Sequence, residues 1–197
     1  MKVLIAEDEP LVARDLARLI RSLGHQVIAM VDTGRRAVEE ARNLAPELLL
    51  LDIALPGLDG IGVAREVLAI RPMPIIMVTA HADPDLVDRA ATSGVMSYLL
   101  KPVTESTLRA GIQVARARFD ELRALSAQVR GLTEALEVRK VVEQAKGILM
   151  KRLQLSEADA FRRLQRRAAA ERRSLQDIAQ AVREADRFFV ELETPGD

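Results

Sequence analysis

Five side chains carry most of the chemistry available to this 197-residue chain: Glu7, Asp8, Asp52, Thr79 and Lys101. Each follows or closes a short apolar run. "KVLIA" leads into Glu7 and Asp8, "ELLLLD" closes on Asp52, "PIIMVT" on Thr79, and "MSYLL" runs into Lys101. Ligands of an open parallel sheet gather beyond the carboxyl ends of its strands. Those ends would bring three carboxylates to one hydroxyl and one ammonium. Three such acids repel one another, and a hard divalent cation relieves the repulsion. Mg²⁺ takes oxygen ligands in octahedral geometry and keeps some waters. Asp8, Asp52 and the backbone carbonyl of Ala54 supply part of that shell, with Glu7 holding a water.

The elements that must position these groups are legible over the first ~100 residues. Five short apolar runs, the fifth being "QVIAMV", alternate with amphipathic stretches. Several runs are continuous rather than alternating, as in strands covered on both faces. Pro10 opens the first helix and Gly24 follows its end. Pro46 separates the second helix from the third strand. Asp83-Pro84 reads as an N-cap and a first-turn proline, and Thr104 as the cap of a fifth helix. Five βα units of this kind make an α/β doubly wound five-stranded parallel sheet.

From Leu108 the strand signal stops. Apolar or small residues at 108, 112, 115, 119, 122, 126, 129, 133 and 136 alternate steps of four and three, a heptad seam widened by Leu125 and Leu132. This segment, 108–137, reads as a helical coiled-coil linker, and a homodimer through it competes with packing on the chain's own domain. Three short helices are expected next, at about 138–153, 157–170 and 175–190. Ser156 and Ser174 open the last two with Asp three residues on, a capping-box device. The expected domains are thus 1–120, the linker, and an all-α unit over 138–197.

Composition narrows the function classes. The chain has no Cys, which excludes disulfides, thiol catalysis and Cys-based zinc sites, and suits a cytoplasmic protein. No apolar run reaches ~18 residues, so no membrane span is expected. "VLIAEDEP" near the start lacks the features of a signal peptide. The net charge of zero is uneven: residues 139–187 hold 13 Lys and Arg against 7 Asp and Glu, while residues 1–138 hold 16 against 19. The C-terminal third is therefore the place for an anionic partner, set against a plain solvated helical surface.

"AEDEP", "LLLLDIALPGLDG", "VTAHAD" and "SYLLKP", in this order, resemble the receiver domain of two-component response regulators over about residues 1–120. The resemblance implies a flavodoxin-like fold with Asp52 as phosphoacceptor, served by a sensor histidine kinase. It implies Mg²⁺ on Glu7, Asp8, Asp52 and Ala54, charge neutralisation by Lys101, a switch made by Thr79 and Tyr98, and a cis Lys101–Pro102 bond. Ala54 and His81 would flank the path of an attacking water; Ala54 cannot bind one, so a long-lived phosphoryl group is expected. No other enzyme chemistry is expected beyond self-phosphorylation from a phosphodonor and slow autodephosphorylation.

"QAKGILM" at 144–150 and "SEADAFRRLQRRAAAERRSLQDIA" at 156–179 resemble the ANTAR domain, an RNA-binding module of bacterial antitermination regulators. The resemblance implies binding of paired hairpins in mRNA leaders, with Lys146, Gly147, Met150, Arg172 and Arg173 as contacts. DNA-binding or purely protein–protein output are the alternatives. The helix after Ser174 is poor in base-reading cations, which weighs against DNA. Gly147 is the odd residue: glycine in mid-helix costs about 1 kcal/mol relative to alanine, so a neighbouring helix or RNA is expected to approach there.

Overall fold

The computed structural model describes residues 1–80 and 94–193. The chain divides into two compact units, Met1–Ala124 and Leu125–Asp197.

In the first unit the strands are β1 (Lys2–Ala6), β2 (Gln26–Val31), β3 (Leu48–Asp52), β4 (Ile75–Thr79) and β5 (Ser97–Leu100), and the helices α1 (Pro10–Ser22), α2 (Gly34–Leu44) and α3 (Gly60–Ile70). The strands form one sheet in the order β2-β1-β3-β4-β5, each neighbouring pair parallel. The doubly wound expectation therefore holds. β3 and β4 are buried at every residue, which is why "LLLLD" and "IIMVT" carry no polar alternation. Their side chains still alternate between two layers. Leu49, Leu51, Ile75 and Met77 pack with Ala37, Val38, Ala64 and Val67 of α2 and α3. Leu48, Leu50 and Ile76 pack with Leu16, Ala17 and Ile20 of α1.

Local punctuation behaves as read. Pro10 starts α1, and Gly24 follows it at φ +78°. Thr104 caps the next helix, α4 (Glu105–Leu153), by a reciprocal pair: the Thr107 N–H donates to Thr104 Oγ1 at 3.2 Å and the Thr104 N–H to Thr107 Oγ1 at 3.0 Å. The Lys101–Pro102 bond is cis. Asp83-Pro84 lies outside the described residues.

The reading of the linker needs two corrections. The stretch expected as a separate helix at 138–153 is the end of α4, because no proline or capping signal interrupts the chain between Thr104 and Leu153. And the first seam positions are not free: Leu108, Ile112 and Ala115 are buried with α1 and the sheet. Beyond them Leu122, Leu125, Val129, Leu132 and Leu136 are between 50% and 65% exposed.

In the second unit the end of α4 packs with α5 (Glu157–Glu171) and α6 (Leu175–Glu193). Val141, Val142, Ala145, Leu164, Ile178 and Ala179 form its core. Ser174 completes a full capping box: its Oγ accepts the Asp177 N–H at 3.0 Å and its own N–H donates to Asp177 Oδ2 at 3.2 Å. This core is small, so single residues matter. Leu164→Ala should lower the stability of the C-terminal unit by about 2–5 kcal/mol, while Leu132→Ala on the exposed stripe should change the monomer by less than about 0.5 kcal/mol. Denaturant titration of dilute full-length protein, followed by circular dichroism, distinguishes the two.

Candidate functional site

Asp52 is the last residue of β3, hydrogen-bonded into the sheet between β1 and β4, and only 5% exposed. Its neighbours on the carboxyl edge are Glu7, one residue past β1, and Lys101, one residue past β5. The Lys101 ammonium donates to Asp52 Oδ2 at 2.8 Å and to Glu7 Oε1 at 2.8 Å. The other Asp52 oxygen accepts the Ala54 N–H at 3.2 Å. Thr79 ends β4, is buried, and its carbonyl accepts the Lys101 N–H at 2.7 Å, which ties the lysine to the end of β4.

The electrostatics are unbalanced. Glu7, Asp8 and Asp52 can each aim a carboxylate oxygen at one point, the three within 4.8 Å of one another. One ammonium faces them. Burial, with the Asp52 charge adding to it, pushes the Glu7 carboxyl up to about 7 against the pull of the Lys101 hydrogen bond. Burial draws the Lys101 ammonium down, but its hydrogen bonds to Asp52 and Glu7 prevail and raise it above its ordinary value. Glu7 Oε2 is buried with no hydrogen-bond partner. An orphaned buried carboxylate oxygen beside two further acids, with oxygen donors only, suits a hard divalent cation.

Of the residues expected from sequence, Glu7, Asp8, Asp52 and Lys101 come together, and Ala54 and Thr79 are joined to them through the backbone. Tyr98 lies on β5 opposite Met77, half-buried against the layer formed with α2 and α3. His81 lies outside the described residues. Gly60 was missed. A Cβ there would sit 2.3 Å from the Asp52 carbonyl oxygen, so only glycine lets α3 start against the end of β3. Its signal was present in "PGLDG", where Asp59 caps α3 by accepting the Gly62 N–H at 2.7 Å.

In the C-terminal unit the expected contacts divide. Lys146 is 7% exposed, and its ammonium donates to Glu143 at 2.9 Å and to Glu157 at 2.6 Å, with the Phe161 ring 5.9 Å away. This pairing ties the start of α5 to α4. Glu157 is held below the usual carboxylate range by that ammonium. Among the described residues nothing lies within 4 Å of where a Cβ would stand at Gly147, so none of the described helices explains it. Met150, one turn on, is 37% exposed. Arg172 ends α5 in the left-handed conformation at φ +52°, and Arg173 lies 3.3 Å from Glu171.

A parallel sheet in this order, with acids past β1 and at the end of β3, a hydroxyl closing β4 and a lysine past β5, defines a signal receiver domain. The chain belongs to the response regulators: the response regulator receiver domain matches residues 3–113 and the ANTAR domain residues 130–182. It is 42% identical over 183 residues to the transcriptional regulatory protein PdtaR of Mycobacterium tuberculosis, covering 93% of this chain and 89% of that protein. Among solved structures it is similar to the receiver domain of a modulated diguanylate cyclase from Desulfovibrio desulfuricans (TM-score 0.57, 37% identity, 60% of this chain and 95% of that one). It is also similar to the receiver domain of the sensor histidine kinase PA1611 from Pseudomonas aeruginosa, solved with magnesium in the active-site cleft (TM-score 0.53, 32% identity, 58% and 96%). No described helix is long and apolar enough to cross a membrane.

The raised Glu7 value has a sign that can be checked. Between the ordinary 4.5 and about 7 the folded chain keeps a proton on Glu7 that the unfolded chain has lost. Stability from this group is therefore complete below about 4.5 and falls as pH climbs to about 7. In a chelator, calorimetry should show this decline for the wild type and a flatter profile for Glu7→Gln; an equal decline in both assigns the slope elsewhere.

Proposed function

We propose that this response regulator is phosphorylated on Asp52 by a sensor histidine kinase and acts through RNA, as a transcription antiterminator. The observation that carries the phosphoacceptor assignment is the Lys101 ammonium held 2.8 Å from both Asp52 and Glu7, beside an orphaned Glu7 oxygen.

An Asp52 oxygen attacks the phosphorus of a phosphohistidine. The new O–P bond forms as the P–N bond breaks, and the imidazole leaves with the electron pair and takes up a proton. Lys101 is already against Asp52 Oδ2, so its ammonium needs little movement to meet the oxygens of the arriving group. The Ala54 N–H holds Asp52 Oδ1 and fixes the carboxylate plane. Asp8, Asp52 and the Ala54 carbonyl, with Glu7 through a water, would hold Mg²⁺, which would supply neutralisation of charge on the transferring phosphoryl oxygens. Thr79 then donates its hydroxyl to the phosphoryl group, and Tyr98 turns toward the space it leaves.

With acetyl phosphate and Mg²⁺, intact-mass spectrometry should show one phosphoryl group on the wild type and none on Asp52→Asn. Ala54 offers no hydrogen bond to an attacking water, so the half-life should exceed a minute. Phosphorylation of Asp52→Asn to the wild-type level overturns the assignment.

The output reading rests on the ANTAR match and on the cationic excess of residues 139–187. RNA loops expose bases and phosphates to side chains. Leu122, Leu125, Val129, Leu132 and Leu136 recur at steps of three and four and are half or more exposed, which supports a seam for a second copy. Pairing two RNA modules lets one dimer hold two hairpins at raised effective concentration. Leu125→Glu with Leu132→Glu should keep the protein monomeric in sedimentation with a phosphoryl mimic. It should weaken a two-hairpin RNA by at least about tenfold and leave each single hairpin unchanged. Duplex DNA of equal length bound as well as the RNA would favour the DNA reading, and binding of neither would favour protein output.

A further inference from the structure

The C-terminal unit contains a cleft of about 730 Å³ between the end of α4 and α6, with Gly147 and Ile148 on one side and Arg183 and Arg187 on the other. Lys151 and Arg152 stand along it. One acid lines it, Asp186, and it is spent on Arg152 at 2.6 Å. Arg187 is shared with Glu191 at 3.0 Å, and Arg183 bonds the neutral Gln180 at 3.1 Å. With Arg152 paired to Asp186 and Arg187 to Glu191, Lys151 and Arg183 are the surplus that makes the cleft electropositive. Its size is that of a small-molecule site. Phe189 borders it through the Arg152 guanidinium, 5.5 Å over the ring, and is 51% exposed.

These features answer the question Gly147 posed. Among the described residues nothing lies within 4 Å of where a Cβ would stand there. The arginines of α6 lie beyond residue 182, where the ANTAR match ends, so the family pattern does not account for them. The contacts first expected at Arg172 and Arg173 sit at the other end of α6, in the turn before it.

Resting on the RNA reading above, we propose that this cleft takes one unpaired nucleotide of an RNA loop. Lys151, Arg183 and Arg187 meet its phosphates. The open backbone at Gly147 and the side chain of Ile148 admit the base, and the exposed Phe189 ring offers the neighbouring base a face to stack on. The α6 extension is then part of the recognition surface rather than a solvated tail.

The test uses full-length protein and the tightest two-hairpin RNA recovered from a pool with randomised loops. Gly147→Leu places a side chain in the cleft at a helix position that favours it, so the melting temperature should hold or rise. RNA affinity should fall about tenfold or more. Arg183→Gln with Arg187→Gln should flatten the dependence of log affinity on log salt by roughly 1.4, the effect of two lost single-strand phosphate contacts. An RNA with a single abasic loop position should lose the Gly147→Leu penalty. Unchanged affinity and salt slope in these variants, while the wild type binds RNA, overturns the cleft and leaves the RNA reading standing. Failure of the wild type to select any RNA overturns both. Binding of free adenosine monophosphate as tight as the RNA overturns the loop as occupant.

Discussion

The bridge from Lys101 to Glu7 and Asp52 is the constraint around which the first unit is arranged. Two buried carboxylates, Glu7 and Asp52, meet a single ammonium, and the exposed Asp8 can bring an oxygen within 4.8 Å of theirs. Buried charges persist only when paired and hydrogen-bonded. The lysine reaches both acids only because β5 lies at the far edge of a parallel sheet with its carboxyl end level with those of β1 and β3. The cation holds the acids together, yet Glu7 keeps one oxygen without a partner. The site is thus held together by one ammonium and still carries more acid than that ammonium balances.

The sheet supports this by being almost wholly apolar below its edge. β3 and β4 contribute no polar side chain until their last residues, Asp52 and Thr79, which are also their most reactive. Gly60 completes the support: by letting α3 begin against the Asp52 carbonyl, it sets the loop that carries Ala54. The β3 end is therefore fixed on one side by sheet pairing and on the other by a helix start that tolerates no side chain.

The parts legible in the sequence were those written locally. Continuous apolar runs marked the buried strands, polar residues at their ends marked the site, and Thr104, Ser156 and Ser174 marked helix starts that the capping bonds bear out. What escaped depends on distant partners. The pairing of Lys146 was not legible, because Glu157, which accepts from it at 2.6 Å, is eleven residues away on another helix. Leu108 and Ile112 fit a heptad as well as they fit a core, and only the presence of α1 and the sheet decides. Gly60 could not be read as a close approach without knowing that β3 lies against it.

Gly147 and Gly60 show why residue type alone does not give the reason for a glycine. At Gly60 a backbone oxygen occupies the missing side chain's place, so the helix's loss in propensity is offset by packing inside the chain. At Gly147 no atom of the described residues stands there, so none of them offsets the loss of about 1 kcal/mol. Gly131 on the same helix is open among the described residues as well, and what sets Gly147 apart is its place beside an electropositive cleft. Lys146, beside Gly147, is paired with Glu143 and Glu157, while the cations that line the cleft lie one turn further along α4 and across on α6.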